Sequence, residues 1–174
     1  MSNAESESRA ARLAIAPIGW IHTSYTRATG TPIQGTAGNG AEGCVELFPE
    51  FVTGLQDLEG FERIWLIYLL DRASDMQMIV RPYMDTRERG VFATRSPARP
   101  NPIGLSAVRL LGMEQNRLLI ADVDMLDRTP LLDIKPYVPA FDCFEQARTG
   151  WYAEKSAAAV VADNRFEERD SGAE

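Results

Sequence analysis

Histidine and cysteine are nearly missing from this chain: His22 is its one histidine, and Cys44 and Cys143 are its two cysteines. A single histidine excludes a multi-histidine metal centre within one chain. The cysteines lie far apart and form no CxxC pair, so neither a disulfide framework nor a zinc site follows, and both read as buried thiols. Positive charge is also scarce. Eighteen Lys and Arg against 25 Asp and Glu give a net charge of -7 and a pI near 4.8, which argues against a protein that grips nucleic acid by bulk electrostatics. No apolar run approaches the roughly 18 residues that suggest a membrane helix, and the opening residues Met1 to Ser8 lack the apolar centre of a signal peptide. A cytoplasmic location is expected.

What is present is ordinary globular material: 174 residues, 45% hydrophobic and 25% charged, enough for one domain with its own core. Residues 1–12 read as a disordered N-terminus in which Ser2-Asn3-Ala4 resembles a tag remnant, residues 13–161 as the domain, and the acidic residues 162–174 as a disordered tail. Within the domain, short strand-like runs alternate with turns. Leu13 to Thr23 alternates, with Ile18, Trp20 and Ile21 as inward candidates; Cys44 to Phe48 is a short strand; Pro49 opens a helix through Leu58. Phe61 to Leu70 is the most apolar run and reads as a central strand buried on both faces. Met78 to Tyr83, Gly90 to Thr94, a hairpin of Ser106–Met113 with Arg117–Val123, and Leu131 to Ile134 supply further strands, and the alanine-rich Trp151 to Val161 favours a helix. Trp20, Trp65 and Trp151 read as core more than as base-stacking platforms. Many short strands and few helices predict a mainly β fold: an antiparallel β-barrel that closes to avoid open edges.

Chemistry-bearing residues collect in three loops that a barrel rim would bring together: Thr31 to Gln34, Arg95 to Ser106, and Asp127 to Tyr137. The middle loop is stiffened by Pro97, Pro100 and Pro102, which fix φ and bias the residues before them to extended geometry. It lies in the one basic region of the chain, residues 81–109, which carries six arginines against two acids. Together the loops offer a carboxamide, two arginines, Asn101, Asp127, Asp133, Thr129, Lys135 and Tyr137, a set for a small polar ligand with charges of both signs. The glycines of Gly35-Thr-Ala-Gly-Asn-Gly40 are in the wrong order and context for a Rossmann phosphate loop.

The run GVFATRSPARPNPIGLSAVRLL (Gly90–Leu111), followed by DMLDRTPLLDIKPYVP (Asp124–Pro139) and, more loosely, PIGWIHT and LEGFERIWLIYLL, resembles the TsaA-like (TrmO-type) tRNA methyltransferases. The resemblance spans roughly residues 15 to 155. It implies a non-Rossmann barrel, a homodimer, S-adenosylmethionine as cofactor, and methylation of the exocyclic N6 amine of threonylcarbamoyl-adenosine beside the tRNA anticodon. Carried over by motif, cofactor contacts fall on Pro32, Ile33, Gln34, Asp71, Arg72, Arg95, Leu105 and the turn Asp127, Arg128, Thr129, Pro130. Arg128 stands where the family has glycine, which argues against a close backbone approach there. Chemical reasoning adds Asp133 and Tyr137 as proton acceptors, Asn101 to fix the amine, and Arg99 and Lys135 for anionic groups of the substrate. Two other readings stay open: a non-catalytic module that binds the same cofactor, and an enzyme with a different RNA or small-molecule acceptor.

Overall fold

The structure is a computed structural model that describes residues 14–35, 40–155 and 161–166. Six strands close a barrel in the order β1-β2-β7-β6-β3-β8, with every neighbouring pair antiparallel and β8 returning to β1. They are β1 (Gly19–Thr23), β2 (Glu42–Leu47), β3 (Arg63–Leu69), β6 (Ile103–Glu114), β7 (Arg117–Ala121) and β8 (Thr129–Pro136). Closure removes every edge. Two two-residue strands, β4 (Ile79–Val80) and β5 (Arg89–Gly90), form a separate ribbon beside it. The expected closed antiparallel barrel is therefore the architecture.

Strand β6 is the long member and serves two neighbours. Its first half, Ile103 to Arg109, pairs with β3, and its second half, from Arg109, pairs with β7 across an irregularity between Leu110 and Gly112. Such a bulge bends a strand and increases its twist, as closing a small barrel requires. The interior is filled by alternate residues, among them Ile21, Val45, Ile64, Leu66, Val108, Leu118, Ile120 and Leu131, each fully buried.

Several sequence expectations are corrected. β3 is not buried on both faces: Ile64, Leu66 and Tyr68 point inward while Trp65, Ile67 and Leu69 are half-buried on the outside. In β1 only Ile21 of the candidates is fully buried, and Trp20 packs edge-on against Phe48 on the other face. The helix expected from Pro49 is a 3-10 segment ending at Leu55. A 3-10 turn over Gly150–Glu154 replaces the start of the alanine-rich helix, whose residues 156–160 lie outside the described ones. Cys44 is half-buried and Cys143 exposed.

The chain's last described piece, 161–166, is held against the domain although the acidic tail was expected to begin at 162. Val161 bridges Pro32, Ala162 exchanges backbone hydrogen bonds with Gly30 and Thr31, and Phe166 is buried with Val80, Val91 and Ala98 in a second apolar cluster. Residues 1–13 and 167–174, which hold the expected disordered N-terminus and the rest of the acidic tail, lie outside the described residues.

Two backbone positions generate predictions. Arg128 adopts φ 60, the left-handed region that glycine adopts freely and that costs a residue with a side chain. Arg128→Gly should hold stability or raise it by up to ~1 kcal/mol in chemical denaturation, whereas Arg128→Val should lower it. At Gly104 a Cβ would overlap the Tyr68 ring. Gly104→Ala should cost about 1–3 kcal/mol through overpacking, read as a lower denaturation midpoint with an unchanged slope.

Candidate functional site

A cleft of about 940 Å³ opens where the barrel mouth meets the ribbon. That volume lies near the top of the ~300–1,000 Å³ range of sites that enclose a drug-sized ligand. Its floor is Tyr68, Ser106 and Asp124; its sides come from Pro32 to Gln34, from Leu70 to Ala73 and from Thr94 to Leu105.

The floor is a hydrogen-bonded chain. The Ser106 hydroxyl donates to Asp124 Oδ1 at 2.6 Å, which leaves its oxygen to accept from the Tyr68 hydroxyl at 3.0 Å. The β3–β6 register creates this chain: Tyr68 stands opposite Gly104, two residues before Ser106, so its ring lies over the glycine and its hydroxyl reaches the serine. Burial raises the Asp124 carboxyl above the usual carboxylate range, against the opposing pull of Ser106, the Gly35 amide and the nearby Arg95 guanidinium. Burial likewise pushes the Tyr68 phenol up. Tyr68 thus stays a neutral donor, and Asp124 is a carboxylate with heightened proton affinity facing open space.

The two loops nearest the floor are joined as expected. Arg95 Nη1 donates to Gln34 Oε1 at 2.6 Å, and Pro32, Ile33, Gln34, Arg95, Asn101 and Leu105 all line the cleft. The proline-rich loop also carries its own scaffold: the Ala98 amide donates to Ser96 Oγ, and Arg99 Nη1 donates to the carbonyls of Thr94 and Ser96. Arg99 lines the cleft, yet its guanidinium is engaged in holding the loop. Ala98 is fully buried in the second apolar cluster with Val80, Val91 and Phe166.

The Asp127–Pro130 turn contributes less than expected. Thr129 lines the cleft with Asp71 and Arg72. Asp127 instead anchors the turn, accepting from the Thr23 amide at 3.2 Å and facing His22 Nδ1 at 3.5 Å. Arg72 Nη2 donates to the Asp127 carbonyl at 2.7 Å, tying the end of β3 to the turn. Arg128 is exposed, and Pro130 is buried in the barrel wall opposite Trp20.

Asp133, Lys135 and Tyr137 do not line the cleft at all. β8 is longer than the sequence reading allowed and carries them away from Thr129, so that at ~3.3 Å per residue Tyr137 lies roughly 26 Å along the chain from it. Asp133 and Lys135 pair with each other at 2.7 Å on the barrel's outer face, and Tyr137 packs on Trp65 with ring centroids 5.4 Å apart. Sequence reasoning missed Tyr68, Ser106 and Asp124. The available signal was the acid pair of Ala-Asp-Val-Asp-Met (121–125), which interrupts an apolar strand end.

An adenosine-bearing sulfonium cofactor fits this cleft. Pro32, Ile33, Leu70, Leu105 and Met125 are apolar walls, Arg95 suits a carboxylate, and Asp71 favours a positive centre. Among the described residues no group of three or more His, Cys, Asp or Glu could hold a metal, and no helix is long and apolar enough to cross a membrane.

Comparison with known proteins agrees with this cofactor. Residues 20–143 match the model of the tRNA-methyltransferase O N-terminal domain. A Pyrococcus abyssi protein named "Probable S-adenosyl-L-methionine-binding protein" is 56% identical over 135 residues, 78% of this chain and 73% of that protein. The mouse tRNA (adenine(37)-N6)-methyltransferase is 32% identical over 140 residues, 76% of this chain and 32% of that enzyme. The crystal structure of TrmO from Pseudomonas aeruginosa superposes with a TM-score of 0.69 at 40% identity, covering 81% of this chain and 63% of that one. The chain thus spans about a third of the mouse enzyme and under two thirds of the solved TrmO. On the extent of these matches, the chain belongs to the family of the tRNA-methyltransferase O N-terminal domain.

Proposed function

We propose that this protein binds S-adenosylmethionine in the cleft and methylates N6 of threonylcarbamoyl-adenosine beside the tRNA anticodon, with Asp124 as the proton acceptor. The observation that carries the reading is the Tyr68–Ser106–Asp124 chain, which presents a buried carboxylate at the floor of a cleft large enough for cofactor and base together. When bound, the cofactor supplies an electrophilic methyl group. The residues supply alignment and a base. Arg95, held by Gln34, would hold the cofactor's carboxylate, Leu105 and Ile33 would flank its adenosine, and Asn101 would meet the acceptor.

The acceptor's chemistry matches Asp124. An N6 that carries a carbamoyl group is a weak nucleophile with a comparatively acidic N–H, so transfer gains from a base that removes that proton. A carboxylate whose proton affinity is raised by burial suits this task better than an exposed one. Ser106 fixes its orientation, and Tyr68 fixes Ser106. This replaces Asp133 and Tyr137 as proton acceptors within one chain. An anticodon-loop base is already unpaired, so bringing it to the cleft costs little.

A homodimer is part of the same proposal. The outer face of β3, β6 and β8 carries half-buried Trp65 and Ile67 with exposed Ile103 and Leu105, and it runs from the cleft wall to Asp133, Lys135 and Tyr137. A second copy on this face would give those three residues a place near a cleft. The proposed location is the cytoplasm, where tRNA is modified.

Asp124→Asn should keep cofactor binding, measured by calorimetry, while lowering kcat about 10²-fold or more in a labelled-methyl transfer assay; near wild-type turnover would remove Asp124 from the mechanism. In the wild type, the acid limb of the pH–rate profile should lie above the ordinary carboxylate range. Because the folded carboxyl holds its proton to higher pH than the unfolded one, ionisation costs stability as pH rises between the two, and Asp124→Asn should be at least as stable as wild type at neutral pH. Modified tRNA should accept label where tRNA lacking the threonylcarbamoyl group does not.

A further inference from the structure

The family domain ends at residue 143, yet the cleft does not: Thr149, Trp151, Tyr152, Ala162 and Phe166 line it from beyond that boundary. Tyr152 touches Met84 and Phe166 packs edge-on against Tyr83 of the ribbon, which makes this side of the cleft largely aromatic. The wall is fastened at several points. Trp151 Nε1 donates to the Ala93 carbonyl at 2.8 Å, and the Arg89 guanidinium lies over the Trp151 ring, 5.2 Å from its centroid. Asp85, with a side chain 2% exposed, accepts from Arg89 at 2.7 Å and from Lys155 at 3.0 Å, so one buried carboxylate clamps both the ribbon and the segment after Tyr152.

The two aromatic rings are differently placed. Trp151 is occupied, with Arg89 over its face and Tyr152 at its edge, ring centroids 5.3 Å apart. Tyr152 is 41% exposed while lining the cleft, and its hydroxyl is held by Met84 Sδ at 2.7 Å. A flat π-surface is thereby immobilised by its tip and its neighbour, with a face left toward the cleft. Arg81 and Arg87 are exposed on the ribbon segment that supplies Pro82, Tyr83 and Met84, with Glu88 the exposed acid among them.

We infer that Tyr152 is the stacking platform of a nucleobase subsite, which takes an unpaired purine or pyrimidine of the RNA acceptor's loop, and that Trp151 is its positioning brace. The class of ligand follows from the geometry: a planar ring meets a fixed aromatic face, with exposed guanidinium groups on the adjacent ribbon segment for the adjoining phosphates. The inference deepens the proposed function and rests on its RNA acceptor, but not on catalysis.

The test is direct binding of a synthetic anticodon stem-loop carrying threonylcarbamoyl-adenosine, followed by fluorescence anisotropy at one fixed salt concentration. Tyr152→Leu should weaken binding roughly ten-fold or more, and Tyr152→Phe, which keeps the ring and loses the Met84 contact, should bind within about two-fold of wild type. Calorimetric affinity for S-adenosylmethionine should be unchanged in both, showing that the cleft is intact. Equal binding by Tyr152→Leu and wild type, equal loss in Leu and Phe variants, or no stem-loop binding by the wild type would each overturn the subsite. Binding that follows the expected pattern without any label transfer would sustain it and bring down the methyltransferase reading instead.

Discussion

The fold and the cleft meet in one steric constraint, the Tyr68 ring lying across Gly104 inside the barrel mouth. Only a residue without a Cβ lets β3 and β6 pair at that point while the ring stays inside. From there the phenol reaches Ser106, and Ser106 reaches Asp124 on the turn after β7. Three elements that share no sequence neighbourhood are thus fixed by one ring and two hydrogen bonds. The glycine of the Asn-Pro-Ile-Gly motif is explained by this contact and not by backbone freedom.

The sequence made the barrel legible because short alternating runs with turns between them have few other ways to bury their faces. It also revealed which loops would converge, since Arg95 and Gln34 meet as expected. What it obscured was strand length and facing. Pro130 looked like part of the turn before the strand, yet β8 starts at Thr129 and runs through it as far as Pro136, so Asp133 lies on the barrel wall and Tyr137 just past the strand's far end, both outside the cleft. An apolar run such as Phe61 to Leu70 cannot reveal by periodicity that half its side chains face outward. Asp124 was hidden for the opposite reason: its signal is a single polar residue at a strand end, and its chemistry comes from Ser106, eighteen residues earlier, and from Tyr68.

Arg128 shows a limit of reading motifs by residue type. Its turn keeps the left-handed backbone that suits glycine, because Asp127 is held by the Thr23 amide and its carbonyl by Arg72 on either side of β1 and β3. Tertiary anchors impose a conformation that the local sequence disfavours.

The buried acids separate structure from chemistry. Asp122 accepts from Arg63 at 2.9 Å and Arg109 at 3.0 Å, and Asp85 accepts from Arg89 and Lys155. In each case two cations share one carboxylate and brace the fold, and the Arg89 and Lys155 bonds keep Asp85 well below the usual carboxylate range. Asp124 sits two residues from Asp122 but receives a hydroxyl and an amide in place of a salt bridge, so desolvation wins and its proton affinity rises. A barrel that needed only another brace would have placed a guanidinium there. The fold instead uses Asp122 to fix the turn and leaves its neighbour Asp124 with no counter-ion in contact among the described residues, facing the cleft.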